Sequence, residues 1–372
     1  MNGALGASFT GGNRIVTYNN GAEIFPAMLA GIASAKSTVN MEMFVFEHGE
    51  VPGRFARALA AKAREGVQVR VLLDAMGAMK SAPYHDDMRA AGVMLELHHR
   101  IWWVDPRRYN YRTHRKLLIV DGRVGFIGGV GIADHWDGRA GGPDEWREMH
   151  YRVEGPVVAQ LQGAFLENWV KARGELLQGP AHFPAPSNAG SALAAAFHGS
   201  PRRERFAAEL MFHLAIASAQ RTVRIINPYF IPDEELCEAL CAAAQRGVKV
   251  QIIVPGEHMD QKAVQRASRK RWPRLLAAGV ELYEYQPTMI HTKLIVVDDH
   301  FASVGSTNLD PRSLRINDEA NLNVLDDAFA REQTRHFMRD LARSRRVPAD
   351  APSVGLIETP AQILQTPLES QL

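Results

Sequence analysis

An α/β fold of two pseudo-symmetric lobes, each an α/β/α sandwich, with the functional pocket at their interface, is what this sequence predicts. Three observations carry that prediction. First, the chain repeats itself: ASAKSTVNMEMFVF at 33–46 is matched by ASAQRTVRIINPYF at 217–230, AAKAREGVQVRVLLD at 60–74 by CAAAQRGVKVQIIVP at 241–255, and AAGVMLELH at 90–98 by AAGVELYEY at 277–285. Second, each copy alternates helical and β-branched stretches, the pattern of a layered α/β domain. Third, each copy is followed by the same polar spacing, His-x-Lys-x4-Asp.

Taken in order, each half reads as a helix ending in a short turn, a β-branched strand, and an amphipathic helix closed by a glycine (Gly66, Gly247). A strand follows, then a second helix-Gly-strand step closed by Gly92 or Gly279. The segment GPAHFPAPSNAGSA at 179–192 is rich in Pro, Gly, Ala and Ser and reads as a linker or long loop. The predicted organisation is a first lobe over 1–178, a linker over 179–198, a second lobe over 199–345 and a carboxy-terminal tail over 346–372. The tail carries several prolines and reads as surface packing.

Composition narrows the field. With 46% apolar and 23% charged residues, the chain is neither disordered nor a coiled coil. A formal charge of +2 is too balanced for a protein that coats nucleic acid, and no nucleic-acid partner is expected. Cys237 and Cys241, four residues apart on one face of a helix, lack metal-site partners and read as reduced core residues. No apolar run approaches the 18 residues of a membrane span, and the start has neither the basic nor the apolar region of a signal peptide. Membrane contact is therefore expected to be peripheral, on the cytoplasmic side of a bacterial inner membrane.

The repeated motifs, grouped by their spacing as the candidate catalytic residues, are His114, Lys116 and Asp121 in THRKLLIVDG, and His291, Lys293 and Asp298 in HTKLIVVDD. Residues i and i+2 of a strand share a face, so each His projects with its Lys. Asp121 and Asp298 fall at the strand ends, where they either tie down local polar groups or support the site from behind. Small residues follow, Gly128-Gly129 and Gly305-Ser306, with Asn308 two beyond Ser306. They permit close approach of a phosphate. Two imidazoles, two cations and an amide in one pocket suit phosphoryl transfer without a metal. One His is the nucleophile, the other the general acid, and the rest face the developing charge. No other cluster with ligand spacing appears, so no metal and no cofactor is expected.

On these residues the sequence resembles the phospholipase D superfamily, whose repeat is His-x-Lys-x4-Asp followed by Gly-Gly/Ser-x-Asn. Over about residues 12–345, segments such as WREMHYRVEGPVVAQLQGAFLENW, INPYFIPDEEL and VGSTNLDPRSLRINDEANL are similar to bacterial cardiolipin synthases of the short form. The resemblance implies a phosphatidyl-histidine intermediate, His114 as the nucleophile, and phosphatidylglycerol or a related alcohol as acceptor. It also implies that a glutamate downstream of each motif orients a catalytic His; Glu148 and Glu319 hold those places. One departure stands out, since Gly131 occupies the position of the first phosphate-facing Asn.

Weaker signals concern lipid contact. The first half carries about ten extra residues before His114, including Trp102 and Trp103 among Arg100, Arg107 and Arg108. These suit a lipid headgroup interface or a packed loop equally. His98 and His99, at the start of the same stretch, read as ordinary surface or packing residues. Arg266 and Arg269 sit in the basic stretch VQRASRKRWPRLL, which is either a solvated helix face or a surface for anionic lipid. Beside phosphatidyl transfer stand hydrolysis of phospholipid, or less favourably of nucleic acid, and a non-catalytic binding module.

Overall fold

The computed structural model describes residues 8–99, 111–199 and 207–349. The first lobe runs β1 (Thr10–Asn19), α1 (Asn20–Ser34), β2 (Thr38–Met43), α2 (Glu50–Arg64), β3 (Gln68–Asp74), α3 (Ala82–Ala90), β4 (Met94–His98), β5 (Leu117–Val120), β6 (Val124–Gly128), β7 (Met149–Glu154) and α4 (Val158–Arg173). The second repeats it as β8 (Ala192–Gly199), α5 (Ala207–Ser218), β9 (Thr222–Ile226), α6 (Glu234–Gln245), β10 (Lys249–Pro255), α7 (Lys262–Ala277), β11 (Glu281–Tyr285), β12 (Leu294–Val297), β13 (Phe301–Gly305), α8 (Pro311–Arg315), β14 (Glu319–Leu325), α9 (Asp327–Leu341) and β15 (Ser344–Arg346). Cys237 and Cys241 are both free thiols buried on the core face of α6.

Among the described residues the strands form one continuous sheet ordered β4-β3-β2-β5-β6-β7-β1-β8-β14-β13-β12-β9-β10-β11-β15. The order reads almost the same from either end, so a pseudo-twofold axis passes between β1 and β8. In each lobe the first three strands after the lobe's opening strand are parallel, and the motif strand, β5 or β12, runs antiparallel beside them. Alternating helices supply the crossovers that parallel strands require. Gly66 and Gly247 make the helix-to-strand turns at φ +88° and +89°, a conformation costly for any residue with a Cβ.

The boundary between lobes departs from the expected 179–198 linker. Residues 192–199 form β8, which pairs with β1 on one side and with β14 over seven residues on the other. Its sequence, ALAAAFHG, has low intrinsic strand preference and no alternating pattern. Its place in the sheet comes from neighbours distant in sequence.

Helices α1 to α3 cover one face of the first lobe around Phe25, Phe55, Leu59 and Met88. Helices α5 to α7 do the same in the second around Met211, Leu240 and Leu275. The opposite sheet face carries one core shared by both lobes, where Phe165 and Trp169 of α4 belong with Leu322, Phe329 and Phe337 of β14 and α9. Burying this common apolar surface fixes the lobes relative to each other. Among the described residues, no helix is long and apolar enough to cross a membrane.

Asp121 and Asp298, grouped with the catalytic residues on spacing, stand at the ends of β5 and β12 remote from the histidines. Asp121 has φ +52° and accepts hydrogen bonds from the backbone amides of Lys36, Ser37 and Thr38 at 2.7–2.9 Å. Asp298, at φ +55°, does the same for Gln220, Arg221 and Thr222 at 2.7–2.8 Å. Each carboxylate clamps the turn before β2 or β9 to the motif strand. The catalytic reading gives way to a structural one, because these oxygens are spent on backbone amides.

Candidate active site

Two crossed backbone pairings assemble the site. Thr113, just before His114, bridges to Asp318, just before Glu319, and the amide of His114 donates to the carbonyl of Asp318 at 2.8 Å. In mirror fashion Arg147 bridges to Ile290, and the amide of His291 donates to the carbonyl of Arg147 at 2.8 Å. Each lobe therefore hands its glutamate to the histidine of the other.

His114 Nδ1 lies 2.8 and 3.0 Å from the two carboxylate oxygens of Glu319, and His291 Nδ1 lies 2.7 Å from Oε2 of Glu148. A carboxylate on Nδ1 fixes the tautomer with its proton there and leaves Nε2 as the basic, nucleophilic atom. Burial pushes His114 down to about 4, against the opposing pull of Glu319. Burial and the neighbouring Lys293 hold His291 well below the usual imidazole range. Both rings are neutral near pH 7 before an anion binds.

The glutamates differ. Burial works to raise Glu319, but His114, Lys116 and the Ser306 hydroxyl outweigh it and hold it below its ordinary value. Ser306 Oγ donates to Glu319 at 2.5 Å. Burial raises Glu148, and Lys293 and the amide of Met149 offset this only in part. Gly129 stands where Ser306 stands in the second lobe, and a Cβ there would fall 2.3 Å from Glu148 Oε2, so glycine is needed for the carboxylate to fit. The set serving His114 is the more strongly ionised.

Lys116 Nζ donates to the carbonyl of His114 at 2.7 Å. Lys293 Nζ donates to the carbonyl of His291 at 2.5 Å and lies 3.0 Å from Nε2 of its ring. Burial pushes Lys116 down to about 7 and Lys293 to about 8. A bound phosphodiester restores their charge, because an anion within reach favours the protonated amine. Asn308 is buried with Oδ1 lacking a hydrogen-bond partner. Asp310, pushed up by burial to about 7, caps Ser313 at the start of α8.

The missing first-lobe amide has a steric cause. A Cβ on Gly131 would fall 2.6 Å from the Trp136 ring and 2.9 Å from Val45. Trp136 fills that volume and lies edge-on to His291 with ring centroids 5.3 Å apart; Trp146 is also 5.3 Å away and Tyr229 6.2 Å. His114 meets Phe44 at 5.2 Å. The second histidine thus sits in an aromatic wall and the first does not.

Several positioning residues escaped the motif search. Asp74 accepts from the amide of Thr113 at 3.1 Å, and Glu42 accepts from the Thr113 hydroxyl at 2.5 Å. Arg115, buried between His114 and Lys116, donates to the carbonyls of Ala164, Gly199 and Glu319 and to the Glu167 carboxylate. It ties α4, β8 and β14 to the motif. A carboxylate amid the apolar strand TVNMEM was the one visible signal.

Trp102 and Trp103 lie outside the described residues. Arg266 is exposed on α7, whereas Arg269 is paired with Glu284 at 2.6 Å and stacked over Trp272, so it is engaged within the protein. Around the reacting centre each Nδ1 is taken by a carboxylate. Groups with metal-ligand spacing among the described residues lie elsewhere, at His98, His99 and Asp318 and at Glu209, His213 and Asp233.

Two lobes on one sheet, with reciprocal His–Glu pairs and a lysine beside each histidine, define an enzyme of the phospholipase D type. The described fold matches phosphatidylserine synthase of Haemophilus influenzae Rd KW20 with a TM-score of 0.72 at 14% identity, over 99% of this chain and 96% of that one. In sequence, the chain is 35% identical over 339 residues to the cardiolipin synthase of Geobacillus kaustophilus (strain HTA426), covering 90% of this chain and 67% of the relative. It is 36% identical over 341 residues to cardiolipin synthase A of Pseudomonas putida (strain GB-1), covering 91% and 70%. Residues 28–169 and 213–341 match the family described as cardiolipin synthase, PLD-like domain, and the chain belongs to that family.

Proposed function

We propose that the chain is a phosphatidyltransferase that moves a phosphatidyl group from one phospholipid to the hydroxyl of phosphatidylglycerol, yielding cardiolipin. The carrying observation is the pair of crossed His–Glu contacts, which engage Nδ1 of each ring and leave the glutamates off Nε2, the atom that reacts. The names of the relatives support the lipid class.

In the first step His114 Nε2 attacks phosphorus, the bond from phosphorus to the leaving alcohol breaks, and His291, protonated once the anionic diester is bound, gives its proton to the departing oxygen. In the second step His291 Nε2 takes the proton of the acceptor hydroxyl, the acceptor oxygen bonds to phosphorus, and His114 is released. Lys116, Lys293 and Asn308 face the charge that develops on the phosphoryl oxygens. Glu319, the better ionised carboxylate, serves the ring that becomes cationic on forming the phosphorus–nitrogen bond, which supports His114 as nucleophile.

Water at about 55 M competes for the same intermediate, and an acceptor bound in register overcomes it through effective molarities of about 10⁵ M or more. The reading places the enzyme peripherally on the cytoplasmic face of a bacterial inner membrane, with Arg266, exposed on α7, toward anionic lipid. Quenching a reaction with phosphorus-labelled phosphatidylglycerol in alkaline denaturant, where a phosphorus–nitrogen bond survives, and mapping the labelled peptide at alkaline pH tests the mechanism. Label on the His114 peptide is expected; label on the His291 peptide reverses the roles, and no covalent label contradicts the intermediate.

A further inference from the structure

We infer that His98, His99 and Asp318 form a site for one divalent transition-metal ion that joins the two lobes. His98 ends β4 and His99 follows it in the first lobe, while Asp318 precedes β14 in the second. Their ligand atoms all lie within 4.8 Å of one another. His99 Nε2 is 3.3 Å and His98 Nε2 is 3.9 Å from Oδ2 of Asp318. Tetrahedral zinc with bonds of about 2.0–2.2 Å sets neighbouring ligands about 3.3–3.6 Å apart, so small side-chain adjustments close the site.

A second observation points to a ligand. His98 is 6% exposed, and its Nε2, aimed at Asp318, has no hydrogen-bond partner. A buried ring nitrogen left unpaired is costly, and a metal ion satisfies it. Burial pushes His98 down to about 3, keeping the imidazole neutral as a ligand must be.

Asp318 is fixed by its backbone: its amide donates to the carbonyl of Arg112 at 2.9 Å and its own carbonyl accepts from His114. Its carboxylate also accepts from Asn168 at 3.3 Å, with Lys171 at 3.9 Å from Oδ1 and Arg115 contributing positive charge. Lys171 is 39% exposed and can swing toward water when a cation arrives. Two imidazoles and a carboxylate select Zn²⁺, Co²⁺ or Ni²⁺ over Mg²⁺ or Ca²⁺, and leave one position for water. The other group with suitable spacing, at Glu209, His213 and Asp233, already holds the Arg315 guanidinium between its two carboxylates.

The test is titration of untagged, chelator-stripped full-length protein with Zn²⁺ by calorimetry and with Co²⁺ by visible absorption. Saturation at one equivalent, cobalt bands of a tetrahedral site and a raised melting temperature are expected, with no competition from Mg²⁺. His98→Gln and His99→Gln should each weaken binding by at least about a hundredfold, while His213→Gln leaves it unchanged. Melting in chelator checks the folding of each variant; His99, on the rim, is the safer of the two, and its result stands alone if His98→Gln does not fold. Absence of saturable binding to the native chain overturns the inference, as does unchanged binding by folded His99→Gln.

Discussion

Glu148 of the first lobe stands 2.7 Å from Nδ1 of His291 in the second, and Glu319 returns the contact to His114 at 2.8 Å. The carboxylate that holds each histidine comes from the other repeat. The site exists only where both lobes meet, which explains why a shared core and the β1–β8 seam hold them in one relative position.

Glu319→Gln and Glu148→Gln keep the size of the side chain and remove the charge that steadies an imidazolium. Each is expected to lower kcat by about 10²-fold or more with KM within a few fold, because the glutamate acts through a histidine. Steady-state kinetics on phosphatidylglycerol micelles check this; near-native kcat in both variants counts against the orienting role.

Gly131→Asn restores the residue the family pattern carries, yet is expected to reduce activity. The new Cβ would stand 2.6 Å from Trp136, which must move and disturb the wall beside His291. Adding Trp136→Ala should recover part of the loss. A gain in activity from Gly131→Asn alone would refute the steric explanation.

Asp121→Ala and Asp298→Ala are expected to destabilise rather than disable. Each releases three backbone amides, of which only that of Thr38 or Thr222 is part-buried and the other two can turn to water, so the loss is about 1–3 kcal/mol in all. Melting temperatures should fall by several degrees while kcat per folded molecule changes less than about threefold. A large kcat loss in well-folded protein would return these residues to the catalytic set.

Stability should depend on the ionisation of His114. Burial lowers its folded-state value to about 4, below about 6.5 in the unfolded chain. Between those values the unfolded state binds the extra proton, so this residue's contribution falls as pH drops from about 6.5 to 4, by about 3 kcal/mol in all. Denaturant unfolding at both ends of that window should show a shallower loss for His114→Gln than for the native chain. An identical pH dependence in the two proteins would rule out this linkage.

Much of this architecture was legible because it repeats. The recurrent helix-Gly-strand steps and the His-Lys spacing are local patterns, and the fold places them where the periodicities put them. What escaped was decided by contacts distant in sequence. The alanine-rich strand β8 lacks a periodic signal and is held by neighbours at either side. Asp121 shares a motif with His114, but four strand residues carry it to the opposite end of β5. His98 and Asp318 are 220 positions apart, so no spacing rule joins them. Gly131 looked like a lost phosphate ligand because the sequence does not reveal that Trp136 takes its volume.

Product analysis tests the central claim of phosphatidyl transfer most directly. Purified protein is incubated with phosphatidylglycerol at saturating concentration, in micelles and in vesicles, with and without phosphatidylethanolamine, and the lipids are resolved by mass spectrometry. Cardiolipin as the main product, lost in both His114→Ala and His291→Ala, is the predicted result. Phosphatidic acid dominating under every lipid presentation would contradict it and make water the acceptor.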